Sequence, residues 1–436
     1  MKKIFKKVLS FIIATASAIS LLTLFPFATN ADETVSPALS IIASKSCVLA
    51  KCAMSFSPVT FSEGDFAKSI GVEHIDGITV LSLPDVTAGT LLLGELEVVK
   101  NQTIKAKDLS SLHFYPISSQ PAECSFTFRV SGCEDYEIPC RIYVLDKENQ
   151  RPTVLKAEDD ALKLNTIRNI TVFGSFSADD PDGDELTFEI TSYPKNGIAL
   201  ITDKSKGEYK YTPLTSYVGT DSISFVARDK YGSCSDECTV KITIESPYSN
   251  VIYDDLIGKK EQLAAIRLTD AKIMKESINE DGKLIFCPDK HVTREEFLSM
   301  VMMLTGKAVS GDDKATGFSD DKKISAEYKP YVLAAVQLGI ISSAKENEST
   351  GFYPEKPITR AEACVMLNNI LKLDSTSSKP VFADSKDIPK WAEEAINIMA
   401  EYDILDASAG NAEPNRQITR GEAALMLYEV MKLSEK

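Results

Sequence analysis

Histidine is scarce in this chain of 436 residues, and its scarcity limits the chemistry open to the protein. The three histidines, His74, His113 and His291, stand far apart, with no H-E-x-x-H segment and no pair at the spacing of zinc ligands. The chain also lacks the G-x-S-x-G segment of serine hydrolases and the phosphate-binding loop of nucleotide-hydrolysing enzymes. Nothing marks a pair of catalytic carboxylates either, so we predict that the protein is not an enzyme.

Basic residues are too few for a nucleic-acid-binding protein. Lysine and arginine number 48 against 63 aspartates and glutamates, which gives a formal net charge of −15. A phosphate backbone requires a basic field, so nucleic acid is excluded as a partner. If the protein binds a polyanion, individually placed arginines must do so against the overall charge.

Long apolar runs are absent after residue 31, so the later chain offers no segment of the roughly twenty apolar residues that span a bilayer. Before that point, the basic start MKKIFKK and the apolar stretch behind it predict a secretory signal peptide over residues 1–31. A retained membrane anchor is the alternative. We expect an exported protein with no membrane partner after signal cleavage.

The nine cysteines are unevenly placed, and only Cys287 and Cys364 lie beyond residue 240. This asymmetry predicts two kinds of domain. Cysteines in an exported protein favour disulfides, although the odd number leaves at least one thiol unpaired. For Cys287 and Cys364 we expect a buried apolar role.

Residues 53–246 contain short runs of alternating apolar and polar residues, such as DELTFEIT at 184–191, separated by turn-forming clusters. Runs of this length and spacing predict β-sandwiches. The region also repeats itself, because CSFTFRV at 124–130 takes the place of DSISFVA at 221–227. We therefore predict two copies of one unit, at 53–148 and 149–246, after an N-terminal segment at 32–52.

Each copy carries a pair of cysteines around the turn before its last strand. The pairs are Cys133 with Cys140 and Cys234 with Cys238. The alignment of the copies suggests a disulfide across each hairpin, and free thiols are the alternative. The cysteines left over are Cys47, Cys52 and Cys124, of which the first two could form a local pair.

The order of DPDGDELTFEI, GIALI, YTP, GTDSISFVARDKYG and TVKITI resembles the cadherin-like tandem repeats of bacterial surface proteins. The resemblance covers residues 150–246 well and 53–146 more faintly. It implies immunoglobulin-type sandwiches that act as a spacer or as an adhesive module for a surface protein or glycan.

The DPDGD loop offers hard oxygen ligands to calcium on a tight turn, from Asp180, Asp182 and Asp184. Related repeats imply that Asp229 can join such a site. An acidic turn without an ion is the alternative, because Asp and Gly favour turns by themselves. Calcium is the only cofactor that the sequence suggests.

From residue 251 onward apolar residues recur at helical spacing and predict a mostly α region. Three helices open with related segments, which are VTREEF at 292–297, ITRAEA at 358–363 and ITRGEA at 418–423. Thr followed three residues later by Glu predicts a capping box at each of these helix starts.

An arginine follows the threonine each time, at Arg294, Arg360 and Arg420. This first-turn position faces the positive end of the helix dipole, where an acidic residue would be preferred. Free N–H groups beside a guanidinium would bind a carboxylate or phosphate. The alternative is an arginine that pairs with an acidic residue on a neighbouring unit.

The surrounding pattern of Phe-x-Asp, a Trp-Ala helix, Gly-x-Phe-x-Pro and Ile-Thr-Arg-x-Glu resembles the S-layer homology domain in three units, at 247–308, 309–374 and 375–436. The first unit departs most, with Phe286-Cys287-Pro288 and no aromatic-Ala helix start. The resemblance implies a pseudo-threefold helical body whose grooves bind anionic secondary cell-wall polymers, often carrying pyruvate ketals. Carried onto this chain, it implies polymer contacts at Arg294, Arg360, Arg420, Asp320, Asp384 and Trp391. Core packing is the alternative for Trp391.

The sequence therefore predicts a multidomain protein in which two all-β, Ig-like sandwiches precede an all-α, three-unit S-layer homology domain. We expect it on the extracellular surface of a Gram-positive-type bacterium, anchored non-covalently to an anionic wall polysaccharide. One alternative is a lattice-forming subunit of a surface layer. A wall or polysaccharide hydrolase is less well supported, because sandwiches and anchor units consume nearly all of the exported length.

Overall fold

The computed structural model describes residues 48–117, 122–133, 136–154, 162–307, 315–341, 344–346, 349–375, 382–407 and 410–434. The predicted signal peptide and Cys47 lie outside these residues. The chain divides into two compact units, one comprising Met1–Leu155, Ser177–Glu189 and Val226–Glu237 and the other comprising Lys156–Phe176, Ile190–Phe225 and Cys238–Lys436. Among the described residues, no helix combines the length and apolar character needed to cross a bilayer.

The first β region consists of two sheets, which we name the first sheet pair. Its strands are β1 (Leu49–Met54), β2 (Val59–Thr60), β3 (Gly77–Val80), β4 (Gly89–Leu93), β5 (Leu96–Glu97), β6 (Thr103–Lys105), β7 (Leu112–Pro116), β8 (Ala122–Val130) and β9 (Ile138–Leu145). One sheet has the order β1-β9-β8-β3-β6 and the other β2-β7-β4-β5. A short helix, α1 (Glu63–Ser69), begins at a capping box of Ser62 and Asp65.

Alternation along β8 explains why these residues form a sheet with one buried face. Cys124, Phe126, Phe128 and Val130 point into the core, whereas the residues between them are less buried. Both sheets contribute to this single core, since Phe114 of β7 belongs to the same buried cluster. The predicted start at residue 53 cuts through β1, which begins at Leu49.

The second β region, which we name the second sheet pair, repeats most of this strand order in its two larger sheets. Its strands are β10 (Thr153–Val154), β11 (Lys163–Ile167), β12 (Val172–Ser175), β13 (Ala178–Asp179), β14 (Leu186–Ser192), β15 (Gly197–Asp203), β16 (Glu208–Pro213), β17 (Gly219–Asp229) and β18 (Cys238–Glu245). The order β11-β18-β17-β14 repeats β1-β9-β8-β3, and β12-β16-β15 repeats β2-β7-β4. In both regions the first strand of the larger sheet runs parallel to the last, as expected for two copies of one unit.

In the remainder, which we name the helical region, the described residues form three units of two α-helices each. The helices are α2 (Gln262–Asp270), α3 (Arg294–Leu304), α4 (Lys329–Gln337), α5 (Arg360–Leu371), α6 (Glu393–Glu401) and α7 (Arg420–Ser434). The region is not purely α, because β19 (Ser277–Ile278) pairs with β20 (Leu284–Ile285), and β21 (Ala344–Glu346) pairs with β22 (Ser349–Gly351). The prediction of an all-α region is wrong to that extent, since the link between two helices of a unit closes as a hairpin.

Candidate functional site

Each of the helices α3, α5 and α7 begins at its threonine with a capping box. The threonine hydroxyl accepts a hydrogen bond from the glutamate N–H at 3.3 Å in all three, at Thr293–Glu296, Thr359–Glu362 and Thr419–Glu422. In return, each glutamate carboxylate accepts the threonine N–H at 2.9–3.0 Å. The three capping boxes that the sequence predicts are therefore confirmed.

The apolar residues just before these threonines join the three units. Val292 N–H donates to Ile418 O at 3.3 Å, Ile358 N–H to Val292 O at 3.0 Å, and Ile418 N–H to Ile358 O at 3.0 Å. All three side chains are buried. These residues form a closed set of hydrogen bonds, here called the central triangle. The motif therefore holds three units together as well as starting helices.

The backbone of each motif arginine is bound to the next unit. Arg294, Arg360 and Arg420 donate their N–H groups to the carbonyls of Lys356, Arg416 and Lys290, at 3.0, 2.9 and 2.7 Å. The residue after each arginine donates to a proline carbonyl, from Glu295 to Pro354, Ala361 to Pro414 and Gly421 to Pro288. These helix N-termini already have partners, so the expectation of free first-turn donors for an anion is wrong.

The guanidinium groups extend the same contact. Arg294 Nε donates to Phe352 O at 2.9 Å, Arg360 Nε to Ala412 O at 2.8 Å, and Arg420 Nε to Phe286 O at 2.9 Å. Each arginine thus reaches the Phe-x-Pro position of the following unit, and the third reaches back to the first. The body is closed, and the first unit, which departs most from the sequence pattern, is a full member of it.

Two of the motif arginines also pair with a glutamate of the next unit. Arg294 Nη1 lies 2.7 Å from Glu362 Oε1, and Arg360 Nη1 lies 3.7 Å from Glu422 Oε1. Arg294 and Arg360 are 6% and 5% exposed, so both guanidinium groups are buried. Pairing with an acidic neighbour, one of the two alternatives that the sequence left open, is the observed arrangement at these two positions.

The aspartates of the Phe-x-Asp segments hold the Phe-x-Pro loops. Asp320 accepts the N–H groups of Phe352 and Tyr353 at 2.8 and 2.7 Å. Asp384 does the same for Ala412 and Glu413, at 2.8 and 2.7 Å. Burial alone would raise the pKa of Asp384, but these N–H donors outweigh it and the pKa lies below its usual value. Both oxygens of each carboxylate therefore have structural partners.

Sequence reasoning missed Asp255, which plays this part in the first unit. It accepts the N–H groups of Phe286 and Cys287 at 2.9 and 2.7 Å. The middle residue of every such loop has a left-handed backbone, with φ of 59° at Cys287, 54° at Tyr353 and 48° at Glu413. An acidic residue two positions after an aromatic, in Tyr253-Asp254-Asp255, was the signal that could have identified it.

Trp391 is 61% exposed and lies just before α6. Core packing, the alternative that the sequence left open for it, is therefore wrong. At the matching place in the second unit stands Glu327, whose carboxylate pairs with Lys275 Nζ of the first unit. Both positions, just before the first helix of the second and third units, thus present exposed side chains.

The DPDGD loop brings three carboxylates together. Asp180, Asp182 and Asp184 each offer an oxygen, and these oxygens lie within 4.8 Å of one another. Asp180 is 7% exposed; its Oδ1 accepts the N–H groups of Asp182 and Asp184, whereas its Oδ2 is buried without a partner among the described residues. A buried carboxylate oxygen without a donor fits a hard cation such as calcium.

Asp229 is linked to this loop indirectly. Its oxygens accept the N–H groups of Tyr231 and Ser233 at 2.9 Å and the side-chain amide of Asn149 at 2.7 Å. It is not among the residues whose oxygens could share an ion. Asp229 therefore supports the loop through Asn149 and does not belong to the ligand cluster in which it was predicted, because three donors take up most of its acceptor capacity.

Two further neighbours of the loop were not foreseen. Gln150 donates its backbone N–H and side-chain amide to Asp182 at 2.7 and 3.0 Å, and these bonds lower the pKa of Asp182. Lys230 Nζ lies 2.8 Å from Asp184 Oδ1, and this contact raises the pKa of the lysine. The segment DKENQRP at 146–152 is predicted from sequence to be a polar linker. Its amide side chains were the signal that could have indicated a contact with an acidic loop.

Neither predicted disulfide is formed, because Cys133, Cys140, Cys234 and Cys238 are free thiols. Strand register explains the difference, since Phe126 lies opposite Cys140 and Phe225 lies opposite Cys238. Cys133 and Cys234 lie on the turns beyond these pairs, and the backbone of Cys234 forms an isolated β-bridge with that of Arg228. A disulfide requires Cα atoms about 4.4–6.8 Å apart, a spacing typical of cross-strand neighbours. The cysteines of the predicted pairs are not cross-strand neighbours.

Two protein-family models match the chain. The model of the bacterial cadherin-like domain matches residues 149–246, and the model of the S-layer homology domain matches residues 317–364 and 381–424. The matched helical segments contain Asp320, Arg360, Asp384, Trp391 and Arg420. The first unit lies outside the match, although its contacts with the other two units follow the same geometry.

Curated relatives share parts of the chain. It is 26% identical over 162 residues to the S-layer protein sap of Bacillus anthracis, covering 37% of this chain and 19% of that protein. It is 32% identical over 139 residues to a surface-layer 125 kDa protein of Lysinibacillus sphaericus, covering 31% and 11%. An amylopullulanase of Thermoanaerobacterium thermosulfurigenes is 25% identical over 341 residues, covering 75% and 17%.

The chain thus spans less than a fifth of the length of each of these relatives. What is common to it and the surface-layer proteins is a segment, so the similarity identifies domains and not a whole protein. Together with the family models, it assigns two parts of the structure. The chain contains a bacterial cadherin-like domain at residues 149–246 and S-layer homology domains at residues 317–364 and 381–424.

Proposed function

We propose that the protein is exported to the surface of a Gram-positive-type bacterium and held there non-covalently by its helical region, which binds an anionic secondary cell-wall polysaccharide. The observation that carries this proposal is the position of the three motif arginines, one at each junction between consecutive units. Polymers with acidic substituents such as pyruvate ketals supply the negative charge that a guanidinium recognises. The S-layer homology matches and the surface-layer relatives support the same reading.

One junction also offers room for a sugar. A cavity of about 850 Å³ lies beside Arg360 and is lined by polar groups that include Lys260, Asp406 and Arg416. Ligand sites commonly have volumes of about 300–1,000 Å³ with a few converging polar groups. In this proposal Trp391 lends an exposed aromatic face to the polymer, while Asp320 and Asp384 act by shaping the loops at the junctions.

The β regions serve, in this proposal, as a spacer or as an adhesive module for a surface protein or glycan. Both sheet pairs would be immunoglobulin-type sandwiches, and calcium would be held by Asp180, Asp182 and Asp184 in the second. The match to the bacterial cadherin-like domain supports this role for residues 149–246. Bound calcium would neutralise three clustered carboxylates and fix the loop that carries them.

A second candidate, a lattice-forming subunit of a surface layer, is favoured by the similarity to surface-layer proteins. Purified protein incubated with calcium and viewed by electron microscopy distinguishes the two. Ordered two-dimensional arrays would favour the lattice subunit, and a dispersed monomer would favour a tethered module.

We propose that the chain is not itself a hydrolase. The similarity to an amylopullulanase reaches across 75% of this chain but only 17% of that enzyme. The described residues offer β modules and helical units, and the three histidines stand in no catalytic constellation. Turnover of peptidoglycan or of a wall glycan by the full chain would overturn this part of the proposal.

Binding to wall sacculi tests the anchoring function. The full chain should sediment with sacculi that keep their secondary polymer and should stay in solution when the polymer has been stripped chemically. Trp391→Ala should weaken binding without loss of helicity, because the side chain is exposed. Tyr193→Ala, an exposed aromatic of the second sheet pair, is the matched control and should bind as the unaltered chain does. Equal binding to stripped sacculi would contradict the proposal.

A further inference from the structure

The two sheet pairs differ at their edges. In the first pair, the connection from β4 to β7 contributes two extra strands, of which β5 pairs with β4 and β6 pairs with β3. In the second pair, the matching connection from β15 to β16 is the short turn 204–207. Among the described residues, β15 is therefore the last strand of the sheet β12-β16-β15 and pairs with β16 alone. The strand β14 also ends its sheet, but its exposed residues are polar.

The strands β4 and β15 occupy the same place in the two copies, because each begins with a glycine that lies opposite a proline. By this alignment Leu91 of β4 corresponds to Ala199 of β15. The carbonyl of Leu91 accepts the N–H group of Val98, just beyond β5, at 2.9 Å. No described residue does the same for Ala199. The edge that the first pair covers with its own chain is thus open in the second.

One hydrogen bond fixes which backbone groups face this open edge. The N–H group of Leu214 donates to Asn196 O at 2.8 Å, so the carbonyl of Asn196 points towards β16. Backbone groups of successive residues point to alternate sides of an antiparallel strand. It follows that Gly197, Ala199 and Ile201 direct their N–H and C=O groups to the open edge.

This edge has few of the features that prevent strands from pairing. Edge strands are commonly protected by lysine, proline or a bulge, whereas β15 has the sequence GIALITD and its bulge comes only after Ile201. On the outer face of the sheet, Leu200 is 52% exposed. Unpaired backbone groups beside an exposed apolar side chain are suited to the addition of another strand.

A second copy of β15 fits the edge in one antiparallel register, with Ala199 opposite Ala199 of the second copy. Gly197 then lies opposite Ile201, so all three residues with outward backbone groups fall in hydrogen-bonded pairs. Ile198 lies opposite Leu200 in the pairs between them, where side chains approach most closely. The same register therefore satisfies the backbone and covers the exposed leucine.

The charges at the two ends of the strand agree with this register. Lys195, which is exposed, precedes β15, and Asp203 is its last residue. Antiparallel pairing about Ala199 brings Lys195 of each copy to the Asp203 end of the other, so opposite charges meet twice. A cross-strand pair of opposite charges is favourable, whereas like charges are not. This self-complementarity favours a second copy over an unrelated strand.

We propose that β15 is a self-association edge, through which two copies of the chain pair about a twofold axis and join their β12-β16-β15 sheets into one. The proposal deepens the adhesive role proposed for the β regions and rests on it, but it does not depend on wall binding, since no residue of the helical region takes part. The contact is small, so pairing in solution should be weak. Chains tethered to one surface are held at a high effective concentration, which strengthens such a contact. Twofold pairing closes at two copies and builds no lattice by itself.

Sedimentation equilibrium of the full chain tests the proposal, in reducing agent and at concentrations from about 1 µM to about 1 mM. The unaltered chain should form a reversible dimer. Leu200→Lys should weaken the dimer at least about tenfold, because a lysine on an edge strand opposes pairing. Leu214→Lys is the matched control and should dimerise as the unaltered chain does, since Leu214 is 45% exposed but lies beyond β16. Circular dichroism and the melting temperature verify that each variant is folded.

A charge exchange tests the register and the identity of the partner. Lys195→Glu should weaken the dimer about threefold, because two exposed attractive contacts become repulsive. Addition of Asp203→Lys to that variant should restore the dimer, since each end then again meets an opposite charge. Asp203 also accepts hydrogen bonds from Ser205, so Leu200→Lys decides the question if the double variant is unfolded.

Three results would overturn the proposal: a chain that stays monomeric throughout, a dimer that Leu200→Lys leaves unchanged, or a folded double variant that stays as weak as Lys195→Glu. Sedimentation with wall sacculi separates these failures from that of the anchoring function. Leu200→Lys should bind sacculi as the unaltered chain does, because β15 lies outside the helical region. An unaltered chain that dimerises but does not bind sacculi would reject the anchoring function and leave the self-association edge intact.

Discussion

Arg294 and Glu362 belong to consecutive units of the helical region, and their side chains form an ion pair of 2.7 Å that is largely withdrawn from water. Glu362 is also the capping-box residue of α5, so a single carboxylate closes a helix start and neutralises the arginine of the preceding unit. Helix initiation and unit assembly therefore share one side chain.

Removal of either partner should destabilise the helical region. Arg294→Met should lower the free energy of unfolding by about 3 kcal/mol, because Glu362 and the Phe352 carbonyl are left without their donor. Glu362→Gln should cost less, about 1–2 kcal/mol, since the amide can still cap the helix. Urea unfolding of the two single variants and the double variant measures the coupling between them.

An exposed pair provides the comparison for this cycle. Lys275 and Glu327 also join two units, but both side chains are more than half exposed. Lys275→Gln should therefore change the free energy of unfolding by less than about 1 kcal/mol. Equal losses for the buried and the exposed pair would contradict a structural role for Arg294.

The helix starts were predictable from sequence because a capping box is local. Thr359 and Glu362 lie three residues apart, and their contact depends only on the first helical turn. The strand alternation that buries Phe126 and Phe128 is equally local. The repeated strand order then follows from repeated segments in the chain.

The partners of the arginines were not predictable in the same way. Arg420 contacts the carbonyl of Phe286, more than a hundred residues earlier, and only the closed arrangement of units brings them together. Every residue has a backbone carbonyl, so the sequence does not indicate which carbonyl accepts a given hydrogen bond. The bonds from the N–H groups of α7 to the carbonyls of Pro288 and Lys290 could therefore not be predicted. The family resemblance supplied the residue types at the junctions, but the carbonyl partners of Arg420 are visible only in coordinates.

Acid should weaken a contact of Asp321 in the second unit. Lys329 Nζ donates to its carboxylate at 2.7 Å, as does Thr316, and these bonds lower the pKa of Asp321 from 3.8 to about 2. A folded pKa below the unfolded value means that the contribution is fully present above about 3.8 and is lost as the pH falls towards about 2. Asp321→Asn should cost about 1 kcal/mol at neutral pH, the value for a partly exposed pair.

Urea unfolding of the unaltered chain and of Asp321→Asn across that pH range measures the loss. The difference between them should shrink towards zero at the acid end, because the protonated carboxyl no longer accepts from Lys329. Lys329→Met should lower stability at neutral pH and reduce the pH dependence, since it removes the strongest donor. A difference that stays constant through the range would show that Asp321 contributes through packing and not through charge.

The cysteines should behave as thiols. Burial raises the pKa of Cys364 to about 12 and that of Cys124 to about 11, so neither forms a thiolate at neutral pH. Iodoacetamide should leave both unlabelled in the native chain and label them in denaturant, as read by mass spectrometry. A reducing agent should not change the melting temperature. A clear fall on reduction would show that the chain forms a disulfide in solution.

Calcium should stabilise the second sheet pair if the acidic loop holds it. Asp180 Oδ2 is buried without a donor among the described residues, and one oxygen each of Asp180, Asp182 and Asp184 lie within 4.8 Å of one another. Calcium at a hundredfold excess over its dissociation constant should add about 2.7 kcal/mol to the free energy of unfolding. Thermal unfolding of the full chain, with and without calcium, measures the shift, and calorimetric titration measures the affinity.

Three variants make this last prediction specific to the loop. Asp182→Asn should abolish the calcium-dependent shift, whereas Asp203→Asn should keep it, because Asp203 lies in another turn and accepts from Ser205. Lys230→Gln should increase calcium affinity, since its ammonium competes with the ion for Asp184 Oδ1. If calcium changes the thermal unfolding of neither the unaltered chain nor Lys230→Gln, the loop is an acidic turn neutralised by Lys230.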